Sequence, residues 1–212
     1  MMGDPNAKSS LKAVGSFTIA YLLLAILAAL LRGNQEFIFY IVVMVLLVGM
    51  VMVVHRRVCL SQGALWALSI WGLAHMMGGL VPVPAGWPIN GEIRVLYSLW
   101  LIPEHLKYDH IVHAYGFGTT TWVCWQGLRS VLRGYGAPVV PTFGLMVLSA
   151  AGGLGFGALN EVVEFAATLL VPETNVGGYI NTGWDLVSNS VGATLVALLI
   201  YFLDRPGESG SK

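Results

Sequence analysis

Apolar residues fill six stretches of this chain, 14–31, 37–54, 62–83, about 104–127, 141–171 and 183–203. Each approaches or exceeds the roughly 20 residues a helix needs to cross a hydrocarbon core about 30 Å thick. The first two contain no ionisable side chain. Connections are short except at 84–103, where Pro84, Pro88 and Gly91 break the chain before the run from Ile93 to Trp100. That run is too short to span and carries aromatics, which predicts an interfacial or re-entrant piece. Pro103 followed by Glu104 suits the first turn of the fourth helix, where proline is tolerated and an acid meets the positive dipole end.

Composition turns these segments into a class. Hydrophobic residues make up 56% and charged residues 10%, with a mean hydropathy of +0.73; soluble domains carry about a quarter charged. The expectation is an all-α polytopic membrane helix bundle of about six transmembrane helices, one domain over residues 1–212. Lys8 and Lys12 before the first apolar run mimic a signal peptide, but that run exceeds an h-region of about 7–15 residues and reads as a retained helix. Basic and acidic residues balance at 11 each, which leaves no electrostatic footprint for nucleic acid. Cys59 and Cys124 are too few for a disulfide framework and are expected as free thiols.

Charge also orients the bundle. With the N-terminus inside, Lys8, Lys12, Arg56, Arg57, Arg129, Arg133, Arg205 and Lys212 fall on the cytoplasmic side, against Arg32, Arg94 and Lys107 outside. The positive-inside rule then puts both termini in the cytoplasm; the expected location is the cell's inner, cytoplasmic membrane, which the chain crosses several times.

On that topology seven ionisable residues, His75, Asp109, His110, His113, Glu161, Glu164 and Asp185, share one depth band in the outer half of the membrane. Each charge at the centre of a bilayer costs about 2.5–3.5 kcal/mol on insertion scales, so the group must be paired, hydrated, metal-bound or used. Spacing aims them: Asp109 and His113 are i,i+4, Glu161 and Glu164 i,i+3, Asp185 and Asn189 i,i+4, and each pair shares a helix face. Asp109 and His110 diverge by about 100°. Asp109 and His113 are expected inward, and His110 toward a neighbour or the rim. His55 and His105 read as ordinary interfacial residues.

Asp109-x-x-x-His113, Glu161-x-x-Glu164 and Asp185-x-x-x-Asn189-x-x-Gly192-Ala193 together resemble the VanZ-like membrane proteins, over about residues 70–200. The segments His75-Met76-Met77-Gly78-Gly79 and Tyr97-Ser98 bring the chain closest to the related YjdF-type inner-membrane family of uncharacterised function. Glu164 departs from the VanZ-like pattern, in which glutamine is common, and adds a carboxylate. The resemblance implies a fold and a site and carries no reaction with it.

Other signals are bland. Gly153-Leu154-Gly155-Phe156-Gly157-Ala158 matches a dinucleotide fingerprint formally, but it lies in an unbroken apolar run with no strand before it. Gly153 and Gly157 instead form a G-x-x-x-G pair that permits a close helix contact. Trp66, Trp122, Trp125 and Trp184 sit near expected helix ends, as an aromatic belt would. No Gly-x-Ser-x-Gly elbow, P-loop or Cys-x-x-Cys occurs.

Imidazole and carboxylate together suit a divalent metal such as zinc, iron or manganese. His75, Asp109, His113 and Glu161 are the candidate ligands, Glu161 and Glu164 the candidate catalytic bases, and His75, Asp185 and Asn189 the binding residues. The resulting expectation is a metal-assisted or acid-base hydrolase acting on a lipid or lipid-linked envelope substrate within the membrane. A non-catalytic binding or assembly subunit is the alternative. A proton-coupled transporter fits less well, because the two halves of the chain do not echo each other and the site is one-sided.

Overall fold

Every backbone amide and carbonyl facing lipid must be bonded within the chain, which drives apolar stretches into helices. The computed structural model describes residues 5–137 and 139–204, with side chains from Ser9 onward. Arg205, Lys212 and the side chain of Lys8, used in the charge count, lie outside the described residues. Six α-helices are present among the described residues: α1 (Pro5–Arg32), α2 (Gln35–Val58), α3 (Gln62–Leu80), α4 (Tyr108–Gly134), α5 (Phe143–Leu170) and α6 (Tyr179–Leu203).

Four apolar helical segments, Ser9–Arg32, Gln35–Val58, Phe143–Leu170 and Tyr179–Leu203, are long and apolar enough to cross a membrane. Many of their leucines and phenylalanines face outward: Leu24, Leu31, Leu46, Phe165, Leu169 and Leu203 are all exposed. A surface of that kind is matched by lipid tails rather than water. α3 and α4 are diluted by Gln62, His75, Asp109, His110, His113 and three consecutive threonines; Asp109, His110, His113, Thr119 and Thr121 are buried, while Gln62 stays exposed at the helix start. α4 packs against α2, α3, α5 and α6 and is the centre of the bundle.

Helix ends are closed locally. The Asn34 side chain accepts from Phe37 N at 2.9 Å, Ser61 from Ala64 N at 3.2 Å and Thr142 from Leu145 N at 3.3 Å, each satisfying one orphan amide. Gly33 at φ 62° and Cys59 at φ 57° make the tight turns on either side of α2. Hydroxyls inside the helices bond back one turn, Thr121 to Phe117 O and Ser149 to Leu145 O at 2.8 Å each. Thr18 and Ser69 bridge α1 and α3 at 2.6 Å.

The segment between α3 and α4 differs from expectation. Helix four does not begin at Glu104. Pro103 and Glu104 form the bend of a small hairpin between β1 (Trp100–Ile102) and β2 (Leu106–Lys107), with Glu104 at φ 64°. α4 starts only at Tyr108, where His110 Nδ1 accepts the Lys107 amide at 3.3 Å. The cause is backbone pairing: Val83 N bonds to Arg94 O, Leu96 N to Val81 O, Asn90 N to Ser98 O and Trp100 N to Pro88 O, at 2.7–3.1 Å. These bonds satisfy the non-helical backbone of the segment. Trp125 also departs from the belt assignment. It is 1% exposed, and its Nε1 donates to Asp204 Oδ2 at 2.9 Å.

Glycines set the helix spacing. A methyl on Gly192 of α6 would run into the Ala114 carbonyl of α4, and one on Gly118 of α4 would lie 3.1 Å from the Gly192 carbonyl. On α5, Gly153 admits Thr121, and a Cβ at Gly157 would lie 2.8 Å from Asn189 Nδ2. These contacts seat α4 between α5 and α6. Gly192→Ala is therefore expected to lower the melting temperature in detergent, with an overpacking cost of about 1–3 kcal/mol. An unshifted melt would contradict the close α4–α6 contact.

Candidate metal centre

The site forms where the last turns of α3 and α5 meet the first turns of α4 and α6. Asp109 and His113 stand on the first two turns of α4, and Asp185 and Asn189 on the second and third turns of α6. Glu161 and Glu164 lie two to three turns before the end of α5, and His75 is five residues from the end of α3. Helices that alternate in direction bring residues far apart in sequence to one level.

His113 is the hub. Its Nε2 lies 3.5 Å from Asp109 Oδ1 and 3.8 Å from Glu164 Oε1, while its Nδ1 lies 3.1 Å from Asn189 Oδ1 and 3.7 Å from Glu161 Oε1. With Asn189 accepting, the Nδ1 proton is fixed and Nε2 presents its lone pair toward Asp109 and Glu164. Two donor sets share this ring, Asp109–His113–Asp185 and His113–Glu161–Glu164, each with its ligand atoms within 4.8 Å of one another. Bonds of about 2.0–2.2 Å in a tetrahedral zinc site put ligand atoms about 3.4 Å apart, close to the separations around Nε2.

Charge and hydrogen bonding are both incomplete. Asp109, Glu161, Glu164 and Asp185 provide four carboxylates, and the ammonium facing them is Lys107, 3.1 Å from Asp109 Oδ2 and bonded to Asn181 Oδ1. Both Glu161 oxygens, Asp185 Oδ1 and Asn189 Nδ2 are buried without a hydrogen-bond partner among the described residues. Glu164 Oε1 accepts from Asn160 Nδ2 at 2.8 Å, and Asp185 Oδ2 accepts from Asn181 Nδ2 at 2.6 Å. Buried carboxylate in such excess calls for protons or a cation. The donor set fits a divalent ion.

A cavity of about 300 Å³ opens above the centre, with Asp109, Glu164, His75, Tyr97, Glu36 and Lys107 in its wall. His75 thus joins the cavity but belongs to neither donor set: its Nδ1 bonds to the Tyr97 hydroxyl. Burial pushes the Tyr97 phenol well above its ordinary range, so the hydroxyl keeps its proton. Gly78 leaves room for the Tyr97 ring, and Gly79 for Phe37. His110 turns away from the centre, against Trp184 with ring centroids 6.2 Å apart, as its 100° divergence from Asp109 demands.

Sequence reasoning missed Glu36 and Lys107. Glu36 sits in the first turn of α2 and accepts the Asn175 amide at 2.9 Å, tying α2 to the loop between α5 and α6. Its signal was an acid following Asn34 at a helix start on the same side as the other polar residues. The charge count places Lys107 on the outer side and gives it no site role, yet it is only 5% exposed.

Fold and site define a helical membrane protein with a buried acid-histidine cluster near one end of its bundle. The chain belongs to the family described as predicted membrane protein (DUF2238), which matches residues 14–206. No curated protein and no solved structure matches it.

Lys107→Met leaves Asp109 buried without its ammonium. It is expected to destabilise the protein by about 3–5 kcal/mol, and adding Asp109→Asn should recover part of that loss. Strict additivity of the two changes in thermal melts would show that the pair is not coupled.

Proposed function

We propose that this protein is a metal-dependent membrane hydrolase whose substrate is a lipid or lipid-linked molecule, bound in the cavity above His113. One observation carries the reading: four carboxylates converge on a single imidazole with one ammonium to balance them, and the oxygens of Glu161 and one oxygen of Asp185 are left unbonded. Intramembrane ionisable groups are expensive and mark function by default. Structural glue does not need such an excess, since interhelical hydrogen bonds in membranes average about 0.6 kcal/mol.

His113, Asp109 and Asp185 would hold the ion, a donor set whose ligand atoms lie within 4.8 Å of one another, with Glu161 of the second set a further ligand from α5. A divalent ion there supplies Lewis acidity and a nucleophile at neutral pH. Glu164 faces the cavity beside this set, held by Asn160, and is the general base. Tyr97 orients His75 across the cavity, where its ring is a hydrogen-bonding partner for the substrate. Lys107 fixes the orientation of Asp109.

The same reading includes six membrane-crossing helices, α3 and α4 among them, with both termini cytoplasmic and the cavity in the outer half of the inner membrane. Its support lies in the cations. At the cavity end Arg32 bonds the Leu80 carbonyl, Arg94 bonds Pro84 O and Trp87 O, and Lys107 bonds Asp109 and Asn181. At the opposite end Arg56 and Arg57 are exposed in the last turn of α2, where the positive-inside rule counts them. The resemblance to VanZ-like and YjdF-type proteins favours the same location.

Metal analysis of the protein purified without chelator tests the centre. Stoichiometric zinc, iron or manganese is expected, reduced by His113→Ala and by Glu161→Gln and unaffected by His105→Ala. Absence of metal at every stage, with the two site variants merely less stable, would leave a polar network and sink the hydrolase reading. Orientation has its own test. Cys59 is exposed at the end of α2, and a membrane-impermeant thiol reagent should label it in opened vesicles but not in intact cells; labelling in intact cells reverses the topology.

A further inference from the structure

At the end of the bundle away from His113, a cleft of about 750 Å³ lies between the last turns of α4 and α6 and the turn joining α2 to α3. Its walls are of two kinds. Leu199 and Leu203 of α6 form an apolar side that continues onto the lipid-facing surface, at 55% and 78% exposure. Arg129 and Arg133, i,i+4 on the last turns of α4, form the other, with Trp122 between the two.

The arginines are not equivalent. Arg129 Nη1 bonds Asp204 Oδ2 at 2.9 Å, the oxygen that also accepts from Trp125 Nε1, and its guanidinium lies 5.9 Å from the centroid of the Trp125 ring. Asp204 thereby holds Arg129 in place over an aromatic face. Arg133 has no acidic partner among the described residues, and no second acid lines the cleft. Gln126 closes the wall by bonding the Ser61 amide at 2.7 Å and hydroxyl at 3.0 Å, which locks the α2–α3 turn to α4.

A fixed guanidinium, a second one a turn away with no acidic partner among the described residues, and an apolar groove open to the bilayer match the three parts of a phospholipid. We infer that this cleft binds an anionic phospholipid, its phosphate on Arg133 and Arg129 and an acyl chain along Leu199 and Leu203. Basic pockets between transmembrane helices recognise anionic head groups in this way, and arginine suits phosphate because its planar fork bonds two oxygens. The recognised chemistry is a phosphate ester, which a soluble phosphate also offers. The apolar wall is what selects the lipid.

Native mass spectrometry of the full chain in detergent tests this with three probes: phosphatidylglycerol, phosphatidylcholine with the same acyl chains, and glycerol phosphate. Phosphatidylglycerol is expected to bind at least about fivefold more tightly than phosphatidylcholine, the factor contributed by roughly one basic residue at a membrane surface. Arg133→Gln should remove most of that preference, and Arg57→Gln, at the same end but outside the cleft, should leave it intact. Arg133 is exposed, so its replacement leaves the core untouched. Equal binding of the two lipids, or an equal loss with Arg57→Gln, would overturn the site in favour of general surface attraction. Displacement of phosphatidylglycerol by an equal concentration of glycerol phosphate would overturn the lipid assignment.

Discussion

The close approach of α4 to α6 is the constraint on which the rest of the molecule depends. Gly192 lets the Ala114 backbone come within van der Waals reach, and Gly157 and Gly153 bring α5 onto the same seam. Without a hydrophobic driving force between helices in lipid, such packing and the polar contacts it allows must hold the bundle. The seam is also what presents Asn189 to His113 at 3.1 Å. Small side chains one turn from the site are the reason its large ones can touch.

Low dielectric explains the economy of the surrounding structure. Hydroxyls bond back to the previous turn, arginines at the cavity end bond carbonyls, and the 81–107 segment folds onto itself through paired backbone. Against this thrift the centre stands out, because the buried oxygens of Glu161 and Asp185 are left over. Among the described residues, four of the six buried side-chain atoms left without a hydrogen bond, on Glu161, Asp185 and Asn189, gather around one imidazole.

Much of this was legible in the chain. Hydropathy located all six helices but missed several ends, above all the start of α1 at Pro5 against 14 and the end of α4 at Gly134 against 127, because a long apolar run is a strong signal and its polar extensions are not. The i,i+4 spacing of Asp109 and His113 and of Asp185 and Asn189 gave the facing, and helix alternation gave the common depth. What stayed hidden depends on tertiary bonding. The hairpin at 100–107 arises from pairing that no local propensity announces, and Pro103 suits a turn as well as a helix start. Lys107 carries no site signal in the sequence, because its partner Asn181 is 74 residues away. Trp125 looked like a belt residue because nothing nearby in sequence revealed Asp204.

Because His113, Asn189 and Gly157 serve packing and site at once, the energetics of ligand capture and of folding are linked. Any species that binds the assembled cluster and not the open chain adds RT ln(1 + [L]/Kd) to stability, about 4 kcal/mol at a thousandfold excess over Kd. Unfolding temperature is consequently a reporter of what the cluster holds. A panel of cations ranked by the shift each produces would read out its selectivity with no knowledge of the reaction.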